Sequence, residues 1–418
     1  MIKILHTSDW HLGKKLYKKE RWPEQELFLS WLVKTISEEE ISILIIAGDI
    51  FDTPMPPTYA LKGLFNFYKE IESIPTLKKV FVIGGNHDSG KLIEAPIPLL
   101  GEKFHILGRP RPYPQDNPEE VAAWIESHRI TFHEPQLSPV KINVALFPFF
   151  RSSDILVKDL RQRDDLPPDQ MLLESIKDWL KNWNLTKEEN EFNIFVGHHL
   201  FGSFFESGSE QGVGLSGLAT VPLNIFSDWD LLCLGHIHKP QCLKKEKPQA
   251  FYSGSPIPMR FSEKENKSIL LYEFDNDISV KNKTIPAFRP LIQLESKQDT
   301  WIEELKEEMN QYDIVQSPLA PFLELTLNFD TPNPSYIDFI REELAGMNIE
   351  LLNYYQIINQ DQTLKKEASI DAHKIKSSHI DELFELYLQE QNIDQDHQRE
   401  VKETYLTLMD EISQENKS

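Results

Sequence analysis

Four hundred and eighteen residues, 40% hydrophobic and 26% charged, are too many for one ordinary core and too apolar for a disordered or fibrous chain, so two or three globular domains are expected. Cys233 and Cys242 are the only cysteines, which excludes a disulfide framework or a cysteine-rich metal site, and no apolar stretch approaches membrane length, so a cytoplasmic protein is expected. With 44 Lys and Arg against 66 Asp and Glu, the net charge of −22 opposes non-specific attraction to a polyanion.

In chain order, apolar runs of four or five residues keep stopping at a Gly or Ser followed by polar residues. Ile2–Leu5 leads into Ser8–His11 (SDWH), Ile43–Ala47 into Gly48–Asp52 (GDIFD) and Val80–Ile83 into Gly84–Asp88 (GGNHD). Asn193–Val196 leads into Gly197–His199 (GHH), and Leu231–Leu234 into Gly235–His238 (GHIH). Helical spacing marks Gln25–Ser37, Thr58–Ile71 and Met171–Trp183 between them. Continuous apolar runs of this length are strands buried on both faces, so the predicted fold class is α/β. Phe251–Ile285 is expected to complete the catalytic sheet and Lys281–Pro290 to be a linker. A strand at Pro290–Leu294, a helix opened by Thr300 and Glu303, a strand at Phe322–Phe329, a helix between Ser335 and Gly346 and a strand at Ile349–Ile358 then predict a small βαβαβ unit. The tail from Asp361 to Ser418 has no strand pattern; two amphipathic helices are predicted around Ile380–Leu388 and Val401–Ile412. The expected domains are 1–284, 285–360 and 361–418.

In α/β sheets, function gathers at the carboxyl ends of strands, where loops bring distant side chains together. All five clusters fall there and supply Asp9, His11, Asp49, Asn86, His198, His236 and His238, a mixed nitrogen and oxygen set suited to Mn, Fe or Zn more than to Ca or Mg. Seven ligands suit two ions if Asp49 bridges them at about 3.5–4 Å, and hydrolysis of a phosphoryl or related ester is the chemistry expected. A lone DxH or GNHD turn is weak evidence, since Asp, Asn and Gly recur in turns for local reasons; five clusters in order carry the reading. His6, His105, His128, His133, His373, His379 and His397 lack such context and are read as structural or surface, while His199 beside His198 is left open.

DxH, GDxxD, GNHD, GH and GHxH in this order resemble the calcineurin-like metallophosphoesterases. SDWHLGK at Ser8–Lys14, GDIFDTPMPP at Gly48–Pro57, GNHDS at Gly85–Ser89, LGHIHKPQ at Leu234–Gln241 and YSGSPIPMRFSE at Tyr252–Glu263 are similar, more narrowly, to bacterial nuclease members of that superfamily. The resemblance implies a sheet sandwich flanked by helices, a small α+β capping domain and a helical tail. It implies one ion on Asp9, His11, Asp49 and His238, and another on Asp49, Asn86, His198 and His236, both most simply Mn2+. It gives His87 the role of stabilising the transferring phosphoryl group or protonating the departing oxygen, with Asp88 as its orienting partner, and puts Asp52 where other relatives carry a His. The implied activity is that of a double-strand DNA exonuclease and hairpin endonuclease in DNA repair, recombination and replication. The implied partners are DNA, a coiled-coil ATPase bound by tail helices that could instead pack on their own chain, and a second copy in a heterotetramer, with Leu61, Leu64, Phe65 and Tyr68 as a candidate dimer surface or, equally, a face turned to their own sheet. No Walker phosphate loop is present, so the ATPase must be another protein. Lys14, Lys15, Lys18, Lys19 and Arg21, beside Tyr17 and Trp22, could line a DNA path or form a solvated face. The competing readings are a small-molecule phosphodiesterase, since the metal motifs do not fix the substrate, and a scaffold that has lost catalysis.

Overall fold

A computed structural model of the chain describes residues 2–110, 126–133, 140–150, 191–207, 220–275, 277–311 and 317–358, with isolated positions between. The chain runs β1 (Ile2–Thr7), β2 (Lys15–Leu16), β3 (Lys19–Glu20), α1 (Trp22–Glu38), β4 (Ile43–Ala47), α2 (Thr58–Glu72), β5 (Lys79–Ile83), α3 (Gly90–Glu94) and β6 (Phe104–Leu107). After these come β7 (Arg129–Phe132), β8 (Lys141–Phe147), β9 (Glu191–His198), β10 (Leu231–Gly235), β11 (Gln241–Lys244), β12 (Gln249–Tyr252), β13 (Ser268–Phe274) and β14 (Ile278–Thr284). The last elements are β15 (Leu291–Lys297), α4 (Trp301–Gln311), β16 (Phe322–Phe329), α5 (Tyr336–Ala345) and β17 (Glu350–Ile358).

Two six-stranded sheets result, ordered β14-β13-β1-β4-β5-β6 and β11-β12-β10-β9-β8-β7. The strands that precede the polar clusters are mutually parallel: β1 with β4 and β4 with β5 in the first sheet, β9 with β10 in the second. Their carboxyl ends therefore share an edge within each sheet. Alternation along each strand divides the apolar side chains. Ile43, Ile45 and Ala47 of β4 face a core shared with Val144, Ile194, Val196 and Cys233 of the second sheet, while Leu44 and Ile46 face a cluster with Phe28, Leu32, Leu64 and Tyr68 of α1 and α2. A third cluster, including Trp183, Phe195, Phe226 and Trp229, covers the far side of the second sheet. Each aliphatic side chain so buried contributes about 1.5–3 kcal/mol, which is why an uninterrupted apolar run reads as a central strand.

Helix α1 begins one turn before the periodicity suggested, because Pro23 is tolerated in a first turn, where its missing N–H has no partner to lose. The stretch Phe251–Ile285 does not complete a single sheet. β12 joins the second sheet beside β10, while β13 and β14 extend the first beyond β1. The expected linker is also shorter, since Lys281–Thr284 finish β14 and only 285–290 remain, with Ile285 and Phe288 buried.

Leu291–Ile358 forms a separate three-stranded sheet ordered β15-β16-β17, with β15 parallel to β16. It belongs to one compact unit, Met1–Ile357, with everything before it. Arg289 carries the connection: it donates to Glu24 at 3.0 Å, lies 4.0 Å over the Phe322 ring and donates to the Ala320 carbonyl. Tyr17 donates to Glu324 at 2.6 Å, and Lys19 pairs with Glu350. The tail 361–418 with its two predicted helices, and most of the predicted helix Met171–Trp183, lie outside the described residues. Among those described, no helix is long and apolar enough to cross a membrane.

Candidate metal centre

The loops after β1 and β4 are zipped together by main-chain bonds, from Asp9 N–H to Gly48 O, His11 N–H to Asp49 O and Leu12 N–H to Ile50 O. This register puts Asp9, His11 and Asp49 side by side at the edge of the first sheet. The ends of β9 and β10 close over them: His198 Nδ1 lies 2.7 Å from the Ala47 carbonyl, and the Asp9 carboxylate accepts the His236 N–H at 3.0 Å. Among the described residues, ligand atoms of Asp9, His11 and His238 lie within 4.8 Å of one another, and so do those of Asp49, His198 and His236. Asp49 Oδ2 stands between the groups, 3.6 Å from His11 Nε2 and 3.4 Å from His198 Nε2. Asn86 Oδ1 is 3.1 Å from His198 Nε2 and 2.9 Å from His236 Nδ1.

The backbone is strained where these side chains converge. Asp9, His11, Asp49 and His236 all have positive φ, at 54°, 46°, 50° and 99°, a conformation that costs a non-glycine residue about 1–3 kcal/mol. Gly48 has φ 88°, and a Cβ there would stand 2.2 Å from His198 Nδ1, so only glycine lets β4 approach the ring. Strain held at this many adjacent positions is the mark of a site whose surroundings over-determine it.

Protonation follows the same crowding. Burial pushes the Asp9 carboxyl up to about 8 against the pull of His198, with the Asp49 charge adding to the rise. Burial also works against the Asp49 charge, yet the His198 and His11 rings hold that carboxyl well below the ordinary range. Burial opposes protonation of His198, but Asp49 raises it to about 9. Burial lowers His11, His236 and His238, leaving neutral rings with lone pairs to offer. Facing lone-pair donors such as His11 Nε2 and His238 Nε2, 3.1 Å apart, together with buried carboxylates and a buried His236 Nε2 that has no hydrogen-bond partner, fit divalent cations.

His87 lies against His11 with ring centroids 4.8 Å apart, and His11, Asp52 and His87 form a third group of close donors. Asp88 is not the partner of the His87 ring. Its carboxylate accepts the main-chain N–H groups of Ile50, Phe51 and Gly85 at 3.1, 2.9 and 2.8 Å, and His87 Nδ1 meets the Asp52 carbonyl at 2.8 Å instead. The pairing implied by the resemblance therefore does not hold here: the Asp88 carboxylate is taken up by the main chain of the turn. The Asp52 carboxylate lies 3.3 Å from His11 Nδ1 and 3.0 Å from Lys14 Nζ; burial opposes its charge, but these two neighbours bring it down to about 2. It orients a ring of the site rather than standing at its centre.

The structure brings His198, and not His199, to the cluster. His199 Nδ1 accepts the Leu200 N–H and its ring stacks on Phe149. The basic segment is mostly engaged internally: Lys14 with Asp52, Lys15 with Glu20, Lys19 with Glu350, and Arg21, 1% exposed, with Glu24 and the Pro258 carbonyl. Leu64 and Tyr68 face their own sheet, so the candidate dimer surface loses them and keeps Phe65, 41% exposed. Sequence reasoning missed Ser8 and Ser253, whose hydroxyls lie 2.7 Å apart with Ser8 donating to Asp9, although both lie inside the SDWHLGK and YSGSPIPMRFSE motifs.

A match to the calcineurin-like phosphoesterase family spans residues 2–240, more than half of the chain. The chain belongs to the calcineurin-like phosphoesterase family. The D subunit of the nuclease SbcCD from Escherichia coli (strain K12) is 25% identical over 433 aligned positions that take in the whole of both chains. The protein of the same name from Bacillus subtilis (strain 168) is 29% identical over 267 positions, 63% of each. Among solved structures, a dimetal phosphatase from Danio rerio aligns at 13% identity with a TM-score of 0.39, over 68% of this chain and 98% of its own. As a calcineurin-like phosphoesterase, the chain hydrolyses phosphate esters, and its buried carboxylates and rings are groups that can hold metal ions.

Proposed function

We propose that the chain is a metal-dependent DNA nuclease, the catalytic subunit of an SbcCD-like complex, which cuts double-stranded ends and hairpins in DNA repair, recombination and replication. The observation that carries the chemistry is Asp49 Oδ2, placed between His11 Nε2 of one donor group and His198 Nε2 of the other. Two divalent ions, of the Mn, Fe or Zn kind that the mixed donors suit and Mn2+ by the family resemblance, would be held by Asp9, His11, Asp49 and His238 and by Asp49, Asn86, His198 and His236. Bound there, they would supply Lewis-acid charge and make hydroxide available at neutral pH. Asp49 positions both donor groups and, through Oδ1, accepts the His87 N–H at 2.9 Å. With His87 Nδ1–H donating to the Asp52 carbonyl, Nε2 is the other nitrogen, and it would give a proton to the departing oxygen from the imidazolium form of the ring, leaving the neutral Nδ1–H tautomer.

The substrate reading rests on the extent of the likeness to the Escherichia coli nuclease component, which runs beyond the phosphoesterase region to the end of the chain. On that reading 1–284 is the nuclease domain, 285–360 caps it, and 361–418 binds an SbcC-like coiled-coil ATPase in a cytoplasmic heterotetramer built on a homodimer. The alternative, a small-molecule phosphodiesterase, has no use for the Arg289-anchored sheet. Purified protein with Mn2+ and an end-labelled hairpin DNA decides between them. Shortening or hairpin opening that disappears in His87→Ala is expected. Turnover of a small phosphodiester with no DNA cleavage, even with the ATPase present, would overturn the nuclease reading.

A further inference from the structure

The rings of the donor groups are held from behind in different ways. His198 Nδ1 faces a main-chain carbonyl, that of Ala47. His11 Nδ1 faces the Asp52 carboxylate, and His238 Nδ1 lies 2.6 Å from Ser209 Oγ, whose hydroxyl is in turn 2.6 Å from Ser207 Oγ. Ser209 is 7% exposed and its N–H bonds to Ser207 Oγ, so the hydroxyl is fixed in place. For His238 Nε2 to offer a lone pair beside His11 Nε2, its proton must sit on Nδ1. The order of donors then follows: His238 Nδ1–H to Ser209 Oγ, and Ser209 Oγ–H to Ser207 Oγ.

We propose that Ser209, from the loop after β9, is a positioning residue for one ion of the pair, fixing the tautomer and plane of the His238 ring. The inference rests on the proposed role of His238 as a ligand. Because Ser209 Oγ contacts His238, a member of the Asp9, His11 and His238 group, its loss is expected to detune one ion and leave the other, held by His198 through the Ala47 carbonyl, as it was.

The experiment is a Mn2+ titration of the metal-free full chain, followed by calorimetry and by the electron paramagnetic resonance of bound Mn2+, for the wild type, Ser209→Ala, Ser209→Thr and His238→Ala. In Ser209→Ala, one of two binding events is expected to weaken about 10- to 100-fold with the other unchanged, and Ser209→Thr, which keeps the hydroxyl, is expected to restore it. His238→Ala is expected to lose that event altogether. Two unaltered affinities in Ser209→Ala, with one event lost in His238→Ala, would overturn the role of Ser209. Two unaltered events in His238→Ala would instead overturn the assignment of His238 as a ligand.

Discussion

Asp9 and His198 carry protons in the metal-free site that cations must displace. Both folded-state pKa values are raised, Asp9 to about 8 from 3.8 and His198 to about 9 from 6.5. A raised value adds stability that is complete below the unfolded pKa and is lost as pH rises through the folded one. The two losses overlap between pH 6.5 and 8, so the melting temperature of metal-free protein is expected to fall across that window and to rise instead when Mn2+ is added. Calorimetry at pH 7 in buffers of different ionisation enthalpy is expected to report about two protons released on loading both ions. A second contrast lies between neighbours. His87→Ala is expected to lower turnover about 100- to 10,000-fold with metal content unchanged and stability lowered by no more than about 1.5 kcal/mol, the worth of its one hydrogen bond to the Asp52 carbonyl. Asp88→Asn, which weakens the acceptor for three buried N–H groups, is expected to lower stability by about 1.5–3 kcal/mol while folded protein keeps its metal; chemical denaturation and metal analysis separate the two.

Among the elements, the connection from β14 to β15 holds the small sheet to the rest of its unit through Arg289. Its guanidinium shares Glu24, 1% exposed, with Arg21 and covers the Phe322 ring. Removing one member of a buried ionic group leaves charge without its partner, so Arg289→Ala is expected to cost about 3 kcal/mol in urea denaturation. It is also expected to impair DNA cleavage more than turnover of a small phosphodiester, because the partners of Arg289 described above, Glu24, Phe322 and Ala320, are not metal-site residues. Equal losses on both substrates would place its effect in the nuclease core.

Over the whole molecule the net charge is −22, and Lys14, Lys15 and Lys19 are each paired with an acid of the chain, Asp52, Glu20 and Glu350. Two divalent ions against the Asp9 and Asp49 carboxylates would make the cleft locally positive. DNA binding by the isolated chain is therefore expected to be weak, to require Mn2+ and to depend only shallowly on salt, since few phosphate contacts mean few released counterions. Fluorescence anisotropy with labelled duplex, with and without Mn2+ and across a salt series, measures this. Tight metal-free binding with a steep salt slope would overturn this expectation and point to a basic DNA-binding surface.

The chain by itself determined the strands and where chemistry could gather. Uninterrupted apolar runs such as Ile43–Ala47 can only be central strands, and polar residues directly after them must fall at strand ends. What it could not contain was which atoms meet. Whether Asp88 bonds a ring or three N–H groups, whether His198 or His199 turns inward, and whether Lys14 faces solvent or Asp52 depend on loops from β1, β4, β5, β9 and β10 closing on one another. The positive φ angles at Asp9, His11, Asp49 and His236 arise in the same closure. Local sequence fixes the period of an element, whereas a hydrogen bond between residues 150 positions apart exists only once two sheets have been brought edge to edge.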